Sequence, residues 1–262
     1  SHNPTSTREK YGVEAVDRMS PMAILRAVKK CDMLISGGGS LLQDVTSSKS
    51  LHYYLSIIRC AEFFHKKVFI YSQGIGPIDR PGNRRAAAAA LKRADGIVVR
   101  DERSAALLEE IGIARDKVVI TADPVIRMKK PDGDVGAEIL RKAGVSLDGR
   151  LTVGWAIRER DTDSRFVKEL LRSIQMMKDK YNAQSVLIPF HYEEDGEVCR
   201  HIAAQLPDDT AVCLNEKYLS EDMLSIIGNM DLLVGVRLHS LIYAAIMGVP
   251  LIGISYDPKC TA

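Results

Sequence analysis

Apolar residues in this chain gather in short blocks, most of them closed by glycine, proline or a charged residue. These blocks alternate with longer stretches in which apolar positions recur every three or four residues. The short blocks predict buried strands at 32–35, 68–71, 96–99 and 117–121, and again at 151–157, 185–189, 210–214, 232–234 and 250–255. The longer stretches predict helices between them. One starts at Ser20, with a capping hydroxyl followed by proline at the first helical position, and runs to Lys30. Another covers 50–64, with Leu51, Tyr54, Leu55, Ile58 and Ala61 on one face. Further helices are predicted at 84–93, where alanines dominate, and at 102–111, 135–143, 165–181, 195–205, 220–229 and 240–247. Regular alternation of strand and helix implies parallel sheets whose functional loops share the carboxyl edge.

The pattern pauses between Val125 and Arg150, where polar residues and Pro131, Gly133, Gly136 and Gly149 accumulate, as in linkers between domains. The reading is therefore an α/β protein of two Rossmann-like parallel-sheet domains facing a cleft. The first covers 1–128, with its opening strand expected to be missing. The second covers 129–262 and is expected to be cut short at its C-terminal end. A chain of 262 residues is long enough for two modest cores.

Composition narrows the function only by exclusion. Charged residues at 27% and hydrophobic residues at 46% are ordinary for a soluble globular protein, and a net charge of +2 argues against a nucleic-acid partner. Five scattered cysteines with no C-x-x-C pair suggest neither a zinc site nor a disulfide framework, and fit a reducing cytoplasm. The longest apolar run, from Leu241 to Ile254, is broken by Gly248 and Pro250 and is shorter than the roughly 18 residues a membrane span needs.

Candidate chemistry lies at the strand ends. In the first half these are Gly37, Gly38, Gly39 and Ser40 with Asp44 beyond, the stretch from Gln73 to Ile78, Arg100 with Asp101, and Asp123. Consecutive glycines let backbone amides approach a ligand or let the chain take positive φ. The spacing is not G-x-G-x-x-G, because Leu42 stands where the last glycine belongs, and no P-loop occurs. Asp101 can either orient a ligand hydroxyl or cap the helix after Arg100.

In the second half the strand ends carry Arg158, His191, Arg237 with His239, and Lys259. Arg237 and His239 fall where a strand gives way to a helix, and a helix N-terminus favours an anion. Together these cations describe a cradle for a small, highly charged acid. Glu193, Glu194 and Asp195 lack a spaced histidine partner and read as a solvated first helical turn rather than metal ligands. Gly-x-Ser-x-Gly is absent, so a serine nucleophile elbow is not expected.

Several blocks carry a resemblance: GGGSLLQDVTS at 37–47, YSQGIGPI at 71–78, VVRDERS at 98–104, ADP at 122–124, PFH at 189–191 and GVRLHSLIYAAIMGVPLIGISYDPK at 235–259. They resemble the polysaccharide pyruvyl transferase family, most closely its CsaB type, which acts on bacterial secondary cell-wall polymers. The resemblance implies a GT-B-like fold. It also implies transfer of the enolpyruvyl group of phosphoenolpyruvate to a sugar as a 4,6-linked ketal, on N-acetylmannosamine in a lipid-linked precursor. The expected partners are thus phosphoenolpyruvate as donor and a lipid-linked amino sugar as acceptor. No metal or other cofactor is required, and both contact with the inner face of the membrane and self-association are compatible with it. His239 is the candidate general acid, with Arg237 and Arg100 as anion clamps and Arg158 in support. His191 and Lys259 are assigned to substrate contact, Gly38, Gly39 and Ser40 to the sugar or its diphosphate, and Asp44 to an acceptor hydroxyl. A nucleotide-sugar glycosyltransferase and a non-catalytic polysaccharide-binding module are the competing readings.

Overall fold

The computed structural model describes residues 1–45, 47–159 and 161–255. The chain divides into two compact units, Ser1–Pro124 and Val125–Ala262. Each is an α/β unit built on a wholly parallel sheet.

The first unit begins with helices α1 (Pro4–Tyr11) and α2 (Pro21–Lys30). It continues as β1 (Met33–Gly37), α3 (Ser48–Phe63), β2 (Lys67–Gln73), α4 (Pro81–Leu91), β3 (Gly96–Val99), α5 (Glu102–Glu110) and β4 (Val118–Ile120). Sheet order follows chain order, β1-β2-β3-β4. Parallel crossovers are right-handed, so a sheet that always advances in one direction receives all its connecting helices on the same face. Leu51, Leu55, Ile58, Val68, Ile70, Ile97, Val99 and Leu108 form the core on that face. The opposite face is open. Met33, Ile35, Tyr71 and Val119 are exposed there, Ile35 at 61% of its surface, with Phe69 and Val98 half-buried among them.

The second unit contains α6 (Val135–Lys142), β5 (Thr152–Ala156), α7 (Arg165–Tyr181), β6 (Gln184–Leu187), α8 (Tyr192–Gln205) and β7 (Ala211–Cys213). It then runs through α9 (Ser220–Ile227), β8 (Leu232–Gly235), α10 (Leu238–Met247) and β9 (Leu251–Gly253). Its order is β7-β6-β5-β8-β9, so the chain leaves the central β5 first to one side and then to the other. That reversal brings helices to both faces and yields two cores. Val153, Trp155, Leu170, Ile174, Val198 and Ile202 fill one, while Leu140, Val186, Leu224, Ile227, Leu233 and Tyr243 fill the other. β5 is buried at every position, as a strand covered on both faces must be.

Among the described residues no helix is long and apolar enough to cross a membrane. The strands and helices expected from the hydrophobic pattern are all present, with ends displaced by a few residues, whereas α1 was not expected.

Candidate active site

In the first unit, the carboxyl edge of the sheet is held together by Arg100, which follows β3. Its Nη1 donates to Asp123 Oδ2 at 2.9 Å and its Nη2 to Ser40 Oγ at 3.0 Å, while Nε faces Asp101 Oδ2 at 3.5 Å. The side chain is only 7% exposed. One guanidinium thus ties the loops after β1, β3 and β4 to one another. Gly74 makes room for it: a Cβ there would lie 2.6 Å from Arg100 Nη2. Gly38 and Gly39 both have positive φ, 75° and 62°, and their Cβ positions meet nothing within 4 Å, so this turn presents open backbone. Ser40, beside them, accepts the Arg100 bond. Buried Gln73, at the end of β2, donates from Nε2 to Ser36 O and Ser36 Oγ, and its Oε1 has no hydrogen-bond partner among the described residues.

Asp101 caps α5, accepting the Ser104 N–H at 2.7 Å, which places it in the second of its two expected roles. Asp44 is buried and knits the β1 and β2 loops to the start of α4. Its Oδ1 accepts from Asp79 N, and its Oδ2 from Arg80 N and from Asn83 Nδ2 at 2.7 Å. Burial pushes its pKa up, but donation from Asn83 and the two backbone N–H groups outweighs this and holds the carboxyl below its ordinary value. A group depressed in the folded state stabilises the fold above its unfolded pKa and stops doing so as pH falls through the folded value. Asp44→Asn is therefore expected to cost about 1–3 kcal/mol at pH 7, because an amide sets N–H against donors, and the loss should shrink below about pH 4. Denaturant melts at pH 7 and pH 3 check this.

In the second unit, four expected residues sit at the carboxyl ends of three neighbouring strands, β6-β5-β8. Arg158 follows β5, His191 follows β6, and Arg237 and His239 follow β8. β5 and β8 flank the point where strand order reverses, the usual ligand crevice of an open parallel sheet. Arg158, His191 and His239 are exposed, His191 as the cap residue of α8 and His239 in the first turn of α10. Arg237 is the cap residue of α10 and makes no side-chain capping bond. Its guanidinium turns instead to α8, with Nη2 2.5 Å from Asp195 Oδ1 and 3.6 Å from Glu194 Oε2. Arg237 Nε is buried without a hydrogen-bond partner among the described residues.

Asp195 is the residue that sequence reasoning missed. Read as solvated, it is 1% exposed, accepts from Arg237, and also accepts the His191 N–H at 2.8 Å. A signal was available: Asp195 shares a helical face with Val198, Cys199 and Ile202, all buried. Lys259 lies outside the described residues.

A profile of the polysaccharide pyruvyl transferase family matches residues 1–258. The chain belongs to that family. It is 22% identical over 248 residues to the amylovoran biosynthesis protein AmsJ of Erwinia amylovora, covering 88% of this chain and 58% of that protein. The chain thus spans less than two thirds of this curated relative. Among solved structures, the UDP-GlcNAc 2-epimerase of Methanocaldococcus jannaschii superposes with a TM-score of 0.67 at 13% identity, covering 95% of this chain and 72% of that one. HepE of Anabaena, solved with UDP-glucose, gives 0.60 at 12% identity over 95% and 69%. At such identities the likeness concerns the fold, which is GT-B-like.

Proposed function

We propose that this protein transfers the pyruvyl group of phosphoenolpyruvate to a pair of sugar hydroxyls during polysaccharide assembly. The finer reading is a CsaB-type 4,6-ketal on N-acetylmannosamine of a lipid-linked cell-wall precursor, made in the cytoplasm. The observation that carries it is the set of Arg158, His191, Arg237 and His239 on adjoining strand ends of a family member. Phosphoenolpyruvate bears a phosphate and a carboxylate, and guanidinium groups suit both.

In this reading Arg237 and Arg158 hold the two anionic groups, with His191 and Lys259 in supporting contact. His239 protonates the methylene carbon. The adjacent carbon becomes electrophilic and one sugar hydroxyl bonds to it. Loss of phosphate and attack by the second hydroxyl close the ketal, and the two hydroxyl protons balance the methyl hydrogen gained and the phosphate released. Gly38, Gly39 and Ser40 approach the sugar or its diphosphate with open backbone. We give Arg100 the task of holding that loop rather than the anion-clamping task expected from sequence, and Asp44 the task of bracing it.

A phosphate-release assay with phosphoenolpyruvate and a panel of lipid-linked sugars tests the proposal. His239→Ala should lower turnover at least about a hundredfold while phosphoenolpyruvate still binds. Near-native turnover in that variant removes His239 from the role. Stabilisation of the native protein by a nucleoside diphosphate, with none by phosphoenolpyruvate, replaces pyruvyl transfer with nucleotide-sugar chemistry.

A further inference from the structure

We infer that Asp195 is a positioning residue for the anion bound at the second unit's carboxyl edge, acting through Arg237. The inference rests on the phosphoenolpyruvate reading above and extends it to a residue that does not touch the substrate.

Asp195 stands in the first turn of α8, beyond the end of β6, whereas Arg237 follows β8. These strands are not neighbours, because β5 lies between them. The carboxylate therefore fastens together two strand ends on either side of the one that delivers Arg158. Both of its oxygens are committed: Oδ1 to Arg237 Nη2 and Oδ2 to the His191 N–H. The His191 carbonyl in turn accepts the Asp195 N–H at 2.7 Å, so the start of α8 is closed in both directions.

The consequence for Arg237 is directional. Its side chain is only 14% exposed, and a guanidinium so enclosed needs a counter-charge. Asp195 supplies that charge at Nη2, with Glu194 farther off on the same nitrogen. The Nε–H of the same guanidinium is buried and without a partner among the described residues. Buried donors are nearly always satisfied, so an unsatisfied one on a cation is an invitation to an anionic oxygen. By holding Nη2, Asp195 keeps the planar fork from rotating and so aims Nε.

Calorimetric titration with phosphoenolpyruvate, run on the native chain, Asp195→Asn, Arg237→Ala and the double variant, tests this. Asparagine keeps the shape but must set an N–H against either Arg237 or His191, both donors. Asp195→Asn is expected to weaken binding about thirtyfold in the native background and less than about twofold when Arg237 is already alanine. Asp195→Glu, which keeps the charge, should stay within about fivefold of native and serves if the asparagine variant fails to fold. Equal losses from Asp195→Asn in both backgrounds, unchanged binding, or a glutamate variant as weak as the asparagine one would each overturn the inference. If the native chain binds neither phosphoenolpyruvate nor inorganic phosphate, the pyruvyl-transfer reading fails first and takes this inference with it.

Discussion

Arg237→Lys is expected to lower phosphoenolpyruvate affinity about a hundredfold, equivalent to about 2.7 kcal/mol. Lysine keeps the formal charge but has a single ammonium where arginine has a fork. The nearest counter-ion is Asp195, which already holds Arg237 Nη2, with Glu194 beside it. An ammonium at this position pairs with those carboxylates and has no second arm to replace the Nε–H. The charge is thus conserved and the directed donor lost. Titration calorimetry reads the change directly, and a loss of fivefold or less would contradict the assignment of Arg237 to the anion. Phosphate release at saturating donor separates this from His239→Ala, because a weakened clamp raises KM, whereas loss of the acid lowers kcat.

Gly136→Ala should have the largest effect on stability. A Cβ at Gly136 would lie 2.3 Å from the backbone carbon and oxygen of Ser225 and 2.6 Å from Ile226 N. These are backbone atoms of α9, so no side chain can swing aside. The Gly136 N–H also donates to Ser225 Oγ at 2.8 Å, and backing α6 away would break that bond as well. Leu140 of α6 shares a core with Leu224, Ile226 and Ile227 of α9, which a displaced helix would open. We expect a loss of about 3 kcal/mol or more, or a melting point lower by about 6–12 °C. Gly133→Ala is the control. It carries the strain of φ 80° but meets nothing within 4 Å, and about 1 kcal/mol is expected. Equal melting points for the two variants would show that the contact with α9 is not the cause.

Local patterns made most of this fold legible. α7 covers the expected span 165–181, and the structure closes it with Ser164, whose side chain accepts from Val167 N, and with Asn182 in the left-handed conformation. α1 was invisible because its helicity comes only from Asn3 as cap and Pro4 at its first position, and none of its residues is buried. α8 begins three residues earlier than expected. The extra residues are Tyr192, Glu193 and Glu194, and acids in a first turn are favoured by the helix dipole. At the candidate site, the cations could be placed at strand ends from alternation alone. Their partners could not: Asp123 and Ser40 reach Arg100 from separate loops, and Asp195 reaches Arg237 from 42 residues away. Likewise the Gly136 approach joins helices 89 residues apart in the chain, and composition reads such a glycine as linker.

The open side of the first sheet bears on how the molecule behaves in bulk solution. Ile35, Tyr71 and Val119 lie on adjacent or nearby strands with Phe69 and Val98 between them, so they form a continuous adhesive panel rather than scattered greasy spots. A net charge of +2 offers little mutual repulsion between copies. Contact between copies is therefore favoured through that panel, so a few uncharged side chains, Tyr71 among them beside the glycine turn, bear on the concentration at which the protein stays dispersed.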